Sequence, residues 1–220
     1  MPELPEVETI ARDLEREVSG SIITAVEVTK RDVLRVVGAA ALKRRTTGVT
    51  ITKCWRRAKL VVMDLSSGDR LVMSLRFTGG FYVDSGQASA TDLHYSCVRW
   101  RLKDKRTLHY IEVRRLGTVS LMNPRQFATY VGRLGVEPLE PEFTPDVLFS
   151  LLRGSRQAVK KRIMDQTAVV GVGNIYANEA LWRSRLDPSR ASNKITREEC
   201  NLLHRDIVIV LRQALDSRGT

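Results

Sequence analysis

The hydrophobic period of this chain changes along its length, and that change restricts the architectures open to it. Leu4, Val7, Ile10, Ala11, Leu14 and Val18 recur at three- and four-residue intervals, so residues 3–18 read as one amphipathic helix, with Gly20 as its stop. From about 21 to 122 the pattern turns into short β-rich runs, among them 22–28, 60–65, 71–75, 81–83, 98–102 and 117–122. Val98, Trp100 and Leu102 alternate with Arg99 and Arg101, the mark of a half-buried strand. Ser66-Ser67-Gly68-Asp69 and Lys103-Asp104-Lys105 read as hairpin turns. Many short strands with no long helix between them build a sandwich or a barrel.

The period then becomes helical again. Residues 134–145, LGVEPLEPEFTP, hold three of the seven prolines and read as a linker. Thr144-Pro145 starts a helix that Gly154 ends. Two more cover about 156–166 and 174–184. The last begins at Thr196 with Glu199 three residues on, a capping-box spacing, and Leu203, Ile207, Val210, Leu211 and Ala214 form its apolar stripe. The expectation is an α+β fold: an N-terminal helix plus β-sandwich over 1–133, a linker over 134–145 and a helical domain over 146–220. No repeat and no low-complexity tract interrupts it.

Composition narrows the partner. The 220 residues carry a net charge of +11, which favours a polyanion, nucleic acid before an anionic membrane. No apolar run reaches membrane-spanning length. The opening Met1-Pro2-Glu3-Leu4 has an acid and a proline where a signal peptide has basic residues. The three cysteines, Cys54, Cys97 and Cys200, are odd in number and widely spaced, with no Cys-x-x-Cys pair. They read as reduced, buried thiols rather than a zinc site or a disulfide framework.

Chemistry concentrates at the N-terminus. A small second residue permits removal of Met1, which leaves Pro2 as a secondary amine. An α-amino group titrates near neutrality, so part of it is an unprotonated nucleophile. Glu3 and Glu6 are spaced to share a helix face beside that amine. One carboxyl could serve as a general acid and the other could position or deprotonate groups; acids also favour a helix N-terminus for purely structural reasons.

The word MPELPEVETIARDL resembles the start of the formamidopyrimidine-DNA glycosylase family (Fpg/MutM, in the Fpg/Nei superfamily) almost residue for residue. The endonuclease VIII branch usually has Gly where this chain has Leu4. The resemblance implies a terminal proline that attacks the anomeric carbon of a damaged nucleotide, expels the base, forms a Schiff base and cuts the strand by β- and δ-elimination. Carried over, Pro2 is the nucleophile, Glu3 the acid that assists ring opening and Glu6 a supporting carboxylate.

Other words extend the match. Trp55-Arg56-Arg57-Ala58-Lys59, a basic turn ahead of a strand, resembles the family's RRGK segment. That likeness puts Lys59 on a β-turn near the active site, against phosphates or the lesion base. Glu112-Val113-Arg114-Arg115-Leu116-Gly117-Thr118 resembles the DPRRFG loop. It implies that Arg114 faces the orphaned base, Arg115 grips phosphate and Leu116 wedges beside it. In LRFTGGF, Phe77 stands at the family's methionine wedge. Apolar wedges between base steps are a recurring device, with core packing the competing reading for Phe77 and Leu116. VVGVGNIYA resembles the family's helix–two-turns–helix element, with Gly173 and Asn174 at flanking phosphates. A dinucleotide fingerprint fails there because Tyr176 stands where a third glycine belongs. Lys160, in AVKKRIMDQ, matches a lysine near the DNA backbone; a solvated basic face with Lys161 and Arg162 is its structural alternative. His94, His109 and His204 form no recognisable constellation.

Family members normally continue past the last helix into a lesion-contacting loop and a four-cysteine zinc finger. This chain stops at Ser217-Arg218-Gly219-Thr220, where that continuation would start. It therefore reads as a truncation with no cofactor of its own, the family zinc site lying beyond residue 220, and with weakened DNA binding. The expected partner is damaged double-stranded DNA carrying oxidised purines such as 8-oxoguanine or formamidopyrimidines, bound between the two domains by a monomer. No membrane is involved, and the place of action is the bacterial cytoplasm, on nucleoid DNA. The alternatives are an endonuclease-VIII-like enzyme for oxidised pyrimidines and a catalytically inert DNA-binding relative. A nucleic-acid chaperone would explain the charge but not the N-terminal word.

Overall fold

A computed structural model describes residues 1–89 and 93–219. The expected C-terminal boundary at Thr220 lies outside the described residues. The chain divides into two compact units, one comprising Met1–Pro2 and Val7–Thr129 and the other Glu3–Glu6 and Tyr130–Thr220. Helix α1 (Leu4–Val18) therefore gives its first turn to the second unit and the rest to the first.

The first unit is a two-sheet sandwich. Strands β1 (Ile23–Val28), β2 (Leu34–Arg35), β3 (Ile51–Arg57), β4 (Leu60–Leu65), β5 (Arg70–Ser74), β6 (Gly79–Asp84), β7 (Ser96–Leu102), β8 (Thr107–Glu112) and β9 (Thr118–Met122) form it, with the short helices α2 (Ala39–Thr46) and α3 (Pro124–Val131). One sheet has the order β1-β7-β8-β6 and the other β2-β9-β5-β4-β3. All pairings are antiparallel except β2 with β9. Trp100, Leu108 and Tyr110 from one sheet and Val61, Met63, Leu71 and Met73 from the other join one buried cluster. That shared core is what the alternation at 98–102 called for, since the side chains of a strand project to opposite faces in turn.

The second unit is helical: α4 (Pro145–Arg153), α5 (Val159–Met164), α6 (Asn174–Arg183) and α7 (Arg197–Asp216). Local capping explains its sharp starts. Thr144 accepts from the Val147 N–H at 3.2 Å. Thr196 and Glu199 bond reciprocally at the start of α7. Helix α5 is shorter than the 156–166 expected. The Val159 and Lys160 N–H groups donate to Arg190 O and Pro188 O, so the chain before them pairs with a loop instead of winding. Residues 134–144 have no helix or named strand, yet they are built into this unit. Gly135 and Val136 donate to Gln166 O and Ala168 O, Val170 donates back to Val136 O, and Phe143 is buried. The proline spacing signals irregular backbone, and its hydrogen bonds go to residues thirty positions away.

Helix α2 and helix α3 carry no signal strong enough to separate them from loops. At α3 the signal is a cap: Asn123 Oδ1 accepts from Gln126 N at 2.8 Å while Gln126 Oε1 accepts from Asn123 N at 3.0 Å, with Pro124 first in the helix.

Candidate active site and nucleic-acid interface

Glu3 is the third residue of the chain and only 2% exposed. Its carboxylate accepts from the N–H groups of Gly173 at 2.6 Å, Ile175 at 2.8 Å and Tyr176 at 3.4 Å. These are the unpaired donors of the first turn of α6, where the helix dipole favours a negative charge. The anion expected at this terminus was a DNA phosphate, but the protein places its own carboxylate there. Gly173 therefore has its N–H committed to Glu3, while Asn174 projects exposed. The turn beneath is equally tight. Gly171 has φ +80°, its O accepts from Leu4 N at 3.0 Å, and a Cβ on it would come within 2.7 Å of the Leu4 side chain. Gln166 braces it, accepting from Gly171 N at 2.9 Å and donating to Met164 O and Val172 O.

Glu6 folds back on the same turn. Its Oε2 accepts from Glu3 N at 2.8 Å, the amide that directly follows Pro2, and its Oε1 accepts from Tyr176 Oη at 2.5 Å. The carboxylate thus caps α1 and anchors the residue next to the candidate nucleophile. These bonds are those of the structural reading, in which the acids satisfy helix starts.

The Lys59 turn belongs to the first unit. Trp55, Arg56 and Arg57 lie within β3, not in a basic turn as expected; only Ala58 and Lys59 make the hairpin. Ala58 holds φ +54°, a conformation where glycine, present in the RRGK word, has no steric penalty. Arg56 supplies the compensation. Its guanidinium is almost buried and bonds Glu8 of α1 at 2.9 Å and Ala58 O at 3.1 Å. A residue that reads as solvated surface is the brace of the turn carrying Lys59.

The candidate wedge also lies in the first unit. Phe77 is 53% and Leu116 45% exposed, so neither packs in the core. The Arg114 guanidinium lies 5.1 Å from the Phe77 ring centroid, a cation–π distance. Arg115, at φ +53°, bonds Asp32 at 3.1 Å. Behind them Glu112, 1% exposed, accepts from the hydroxyl of Thr78, from Arg114 N at 3.1 Å and from Gly117 N at 2.7 Å.

Two family models match: the formamidopyrimidine-DNA glycosylase N-terminal domain over residues 1–119 and the formamidopyrimidine-DNA glycosylase H2TH domain over 134–220. The formamidopyrimidine-DNA glycosylases of Pelotomaculum thermopropionicum and Brevibacillus brevis are 36% and 37% identical over 222 and 224 residues, spanning all of this chain and 80% of each relative. The chain belongs to the formamidopyrimidine-DNA glycosylase family. A crystal structure of the Lactococcus lactis glycosylase (Fpg or MutM), non-covalently bound to DNA containing an AP site, superposes with a TM-score of 0.93 at 30% identity, covering 99% of this chain and 83% of that one. The wild-type Lactococcus lactis protein bound to DNA containing N7-benzyl-Fapy-dG gives 0.93 at 31% identity, covering 100% and 81%. These relatives favour the formamidopyrimidine branch over an endonuclease-VIII-like one.

Against that family frame, the remaining residues sort by surroundings. Lys160 is half-buried at the start of α5. Its neighbour Arg162 is no solvated cation, since it donates to Leu151 O at 3.0 Å and pairs with Asp165 at 3.0 Å. The three cysteines are free and buried, and burial pushes the Cys54 thiol up to about 12, with Glu15 and Asp64 adding to it, so a thiolate nucleophile is absent there. His109 is buried against Ser96 Oγ, and His204 bonds Phe143 O at 2.7 Å. Among the described residues no three of His, Cys, Asp or Glu gather to hold a metal ion. No helix among the described residues is long and apolar enough to cross a membrane.

Glu112, Thr78 and Arg56 are the residues that sequence reasoning missed. Each lies inside a word already singled out, as a polar side chain that local spacing cannot tell from ordinary surface.

Proposed function

We propose that this protein is a bifunctional DNA glycosylase/lyase of base-excision repair, removing oxidised purines such as 8-oxoguanine and formamidopyrimidines from duplex DNA. Once Met1 is removed, the Pro2 nitrogen attacks C1′ of the damaged nucleotide. The glycosidic bond breaks, the base leaves with its bonding pair and takes up a proton, and the sugar ring opens to leave an iminium between Pro2 and C1′. Loss of the C2′ proton expels the 3′ phosphate, and a second elimination expels the 5′ phosphate. Glu3 assists ring opening, Glu6 holds the amide after Pro2, and Lys59 and Asn174 meet phosphates as charge and dipole. Lys160 and Arg115 add phosphate contacts, and Arg114, Leu116 and Phe77 fill the gap left by the extruded base. The setting is the bacterial cytoplasm, where the relatives' hosts keep their DNA.

One observation carries this reading. The Glu3 carboxylate joins the N-terminal word to the VGVGNIY word at the start of α6, so the residue beside the nucleophile is fixed by the element expected to hold DNA. An acid that served only its own helix start would not need partners some 170 positions later.

Borohydride trapping tests it. Processed protein forms a reduced covalent adduct with abasic-site duplex, because an iminium is reducible. Retained Met1 or Pro2→Gly abolishes or strongly reduces that adduct. A wild-type adduct level from N-terminally blocked protein would overturn the proline assignment.

A further inference from the structure

The wedge residues stand on two separate segments of the first unit. Phe77 sits at the tip of the turn between β5 and β6, closed by Gly79 N donating to Leu75 O at 2.8 Å, with Arg76 at φ +50°. Arg114 and Leu116 sit on the loop between β8 and β9. Strand pairing sets Gly79 opposite Glu112, which brings the two segments together. What joins them is one carboxylate. Glu112 Oε1 receives the Thr78 hydroxyl and the Arg114 N–H, and Oε2 receives the Gly117 N–H. The Arg114 N–H also reaches Thr78 Oγ1 at 3.2 Å. No slack remains around it: a Cβ on Gly117 would fall 2.1 Å from Tyr110 Oη and 2.5 Å from Glu112 Oε2.

We propose that Glu112 is a positioning residue that makes one wedge out of two segments, its buried carboxylate tying the Phe77 turn through Thr78 to the loop of Arg114 and Leu116. This rests on the base-extruding reading given above. Extruding a base costs a few kcal/mol of stacking and pairing. Side chains offset that cost only if they arrive already ordered, because ordering them at the moment of insertion adds its own entropic penalty. The Arg114 guanidinium over the Phe77 ring is the preassembled form, and Glu112 holds the backbones that carry both. A carboxylate suits the task because it is acceptor-only and all three groups aimed at it are donors. A glutamine there would turn an NH2 toward at least one N–H.

The test uses the full chain with Thr78→Val, Glu112→Gln and Glu112→Asp. Thr78 is exposed, so its substitution cuts the tie between the segments without emptying the core. Single-turnover excision is measured on a duplex with 8-oxoguanine opposite cytosine, and β-elimination on a duplex with a preformed abasic site. 2-Aminopurine beside the lesion reports unstacking without requiring catalysis. Thr78→Val and Glu112→Gln slow both excision and the 2-aminopurine rise by about tenfold, the worth of one charge-assisted hydrogen bond. β-Elimination at the abasic site slows far less, and Glu112→Asp recovers most of the excision rate. Equal slowing on both duplexes with a matching fall in melting temperature makes Glu112 a folding residue and overturns the proposal, as does unchanged excision in both variants. Wild-type protein that neither excises nor traps sinks the glycosylase reading, and this inference with it.

Discussion

Glu3 and Glu112 are the same device used to opposite ends. Each is a buried carboxylate that accepts three donors from a chain segment with little freedom of its own. At Glu3 the donors belong to a helix start, and the residues around it, Leu4, Gly171 and Tyr176, are buried with it. At Glu112 the donors belong to loops whose outer side chains, Phe77 and Leu116, stand about half in solvent. On the function proposed above, the first site holds a reacting centre still, and the second holds a backbone still so that its side chains can enter the duplex. The difference teaches that exposure of a side chain and rigidity of its support are independent quantities, each set by different atoms.

The sharpest way to break this comparison is Glu3→Gln. If Glu3 is both pin and acid, excision and borohydride adduct fall by about 10²–10⁴-fold. Stability falls by about 1–3 kcal/mol, because buried N–H groups lose a charged acceptor. Single-turnover rates and thermal melting read the two effects separately. A melting shift with intact chemistry would reduce Glu3 to a pin, and the two carboxylates would then differ only in location.

Gly117→Ala and Gly171→Ala sharpen it next. Both positions lack room for a Cβ, Gly117 against Tyr110 and Glu112 and Gly171 against Leu4, and Gly171 also has positive φ. Each substitution costs about 1–3 kcal/mol, a shift of several degrees in melting temperature for a chain this size. Only Gly117→Ala slows excision at a paired lesion relative to cleavage at an abasic site. Identical kinetic profiles for the two variants would show that the wedge support has no separate role.

The smallest effect on stability belongs to Phe77→Ala. The ring is more than half exposed, so melting changes by no more than about 0.5 kcal/mol, while excision from a paired lesion slows several-fold more than β-elimination at a preformed abasic site. Leu116 is smaller than the phenylalanine of the family word and cannot stack as an aromatic, so on the proposed wedge reading the ring at Phe77 carries more of the wedging. Equal slowing on both substrates with lost stability would mean that Phe77 packs against the fold and that the wedge assignment fails.

What could be read from the amino acids follows from how local each signal is. Thr196 with Glu199, Thr144 with Pro145, and the alternation at Val98, Trp100 and Leu102 each concern groups within a few residues, and each is found where the spacing put it. The words around Pro2, Lys59, Arg114 and Asn174 identify the family because they are specific, not because their geometry is visible in them. Nothing near Glu3 announces that its partners lie some 170 positions later, and nothing near Arg56 announces burial against Glu8. Ala58, Arg76 and Arg115 adopt left-handed backbone without being glycine, which no turn rule anticipates. Their neighbours hold them there through bonds between segments that the sequence keeps apart.

Helix α1 has its first turn in one unit and its remainder in the other, and this has a consequence for how the protein comes into being on the ribosome. The first residues made belong with the last. At roughly 5–20 residues per second of synthesis, on the order of ten seconds separate the emergence of Glu3 from that of Gly173. The strands of the sandwich can pair during that interval, but the Glu3–Glu6 turn has no seat until the rest of its unit is made. A nascent chain that has not yet reached the first turn of α6 thus has no acceptor site for the Glu3 carboxylate.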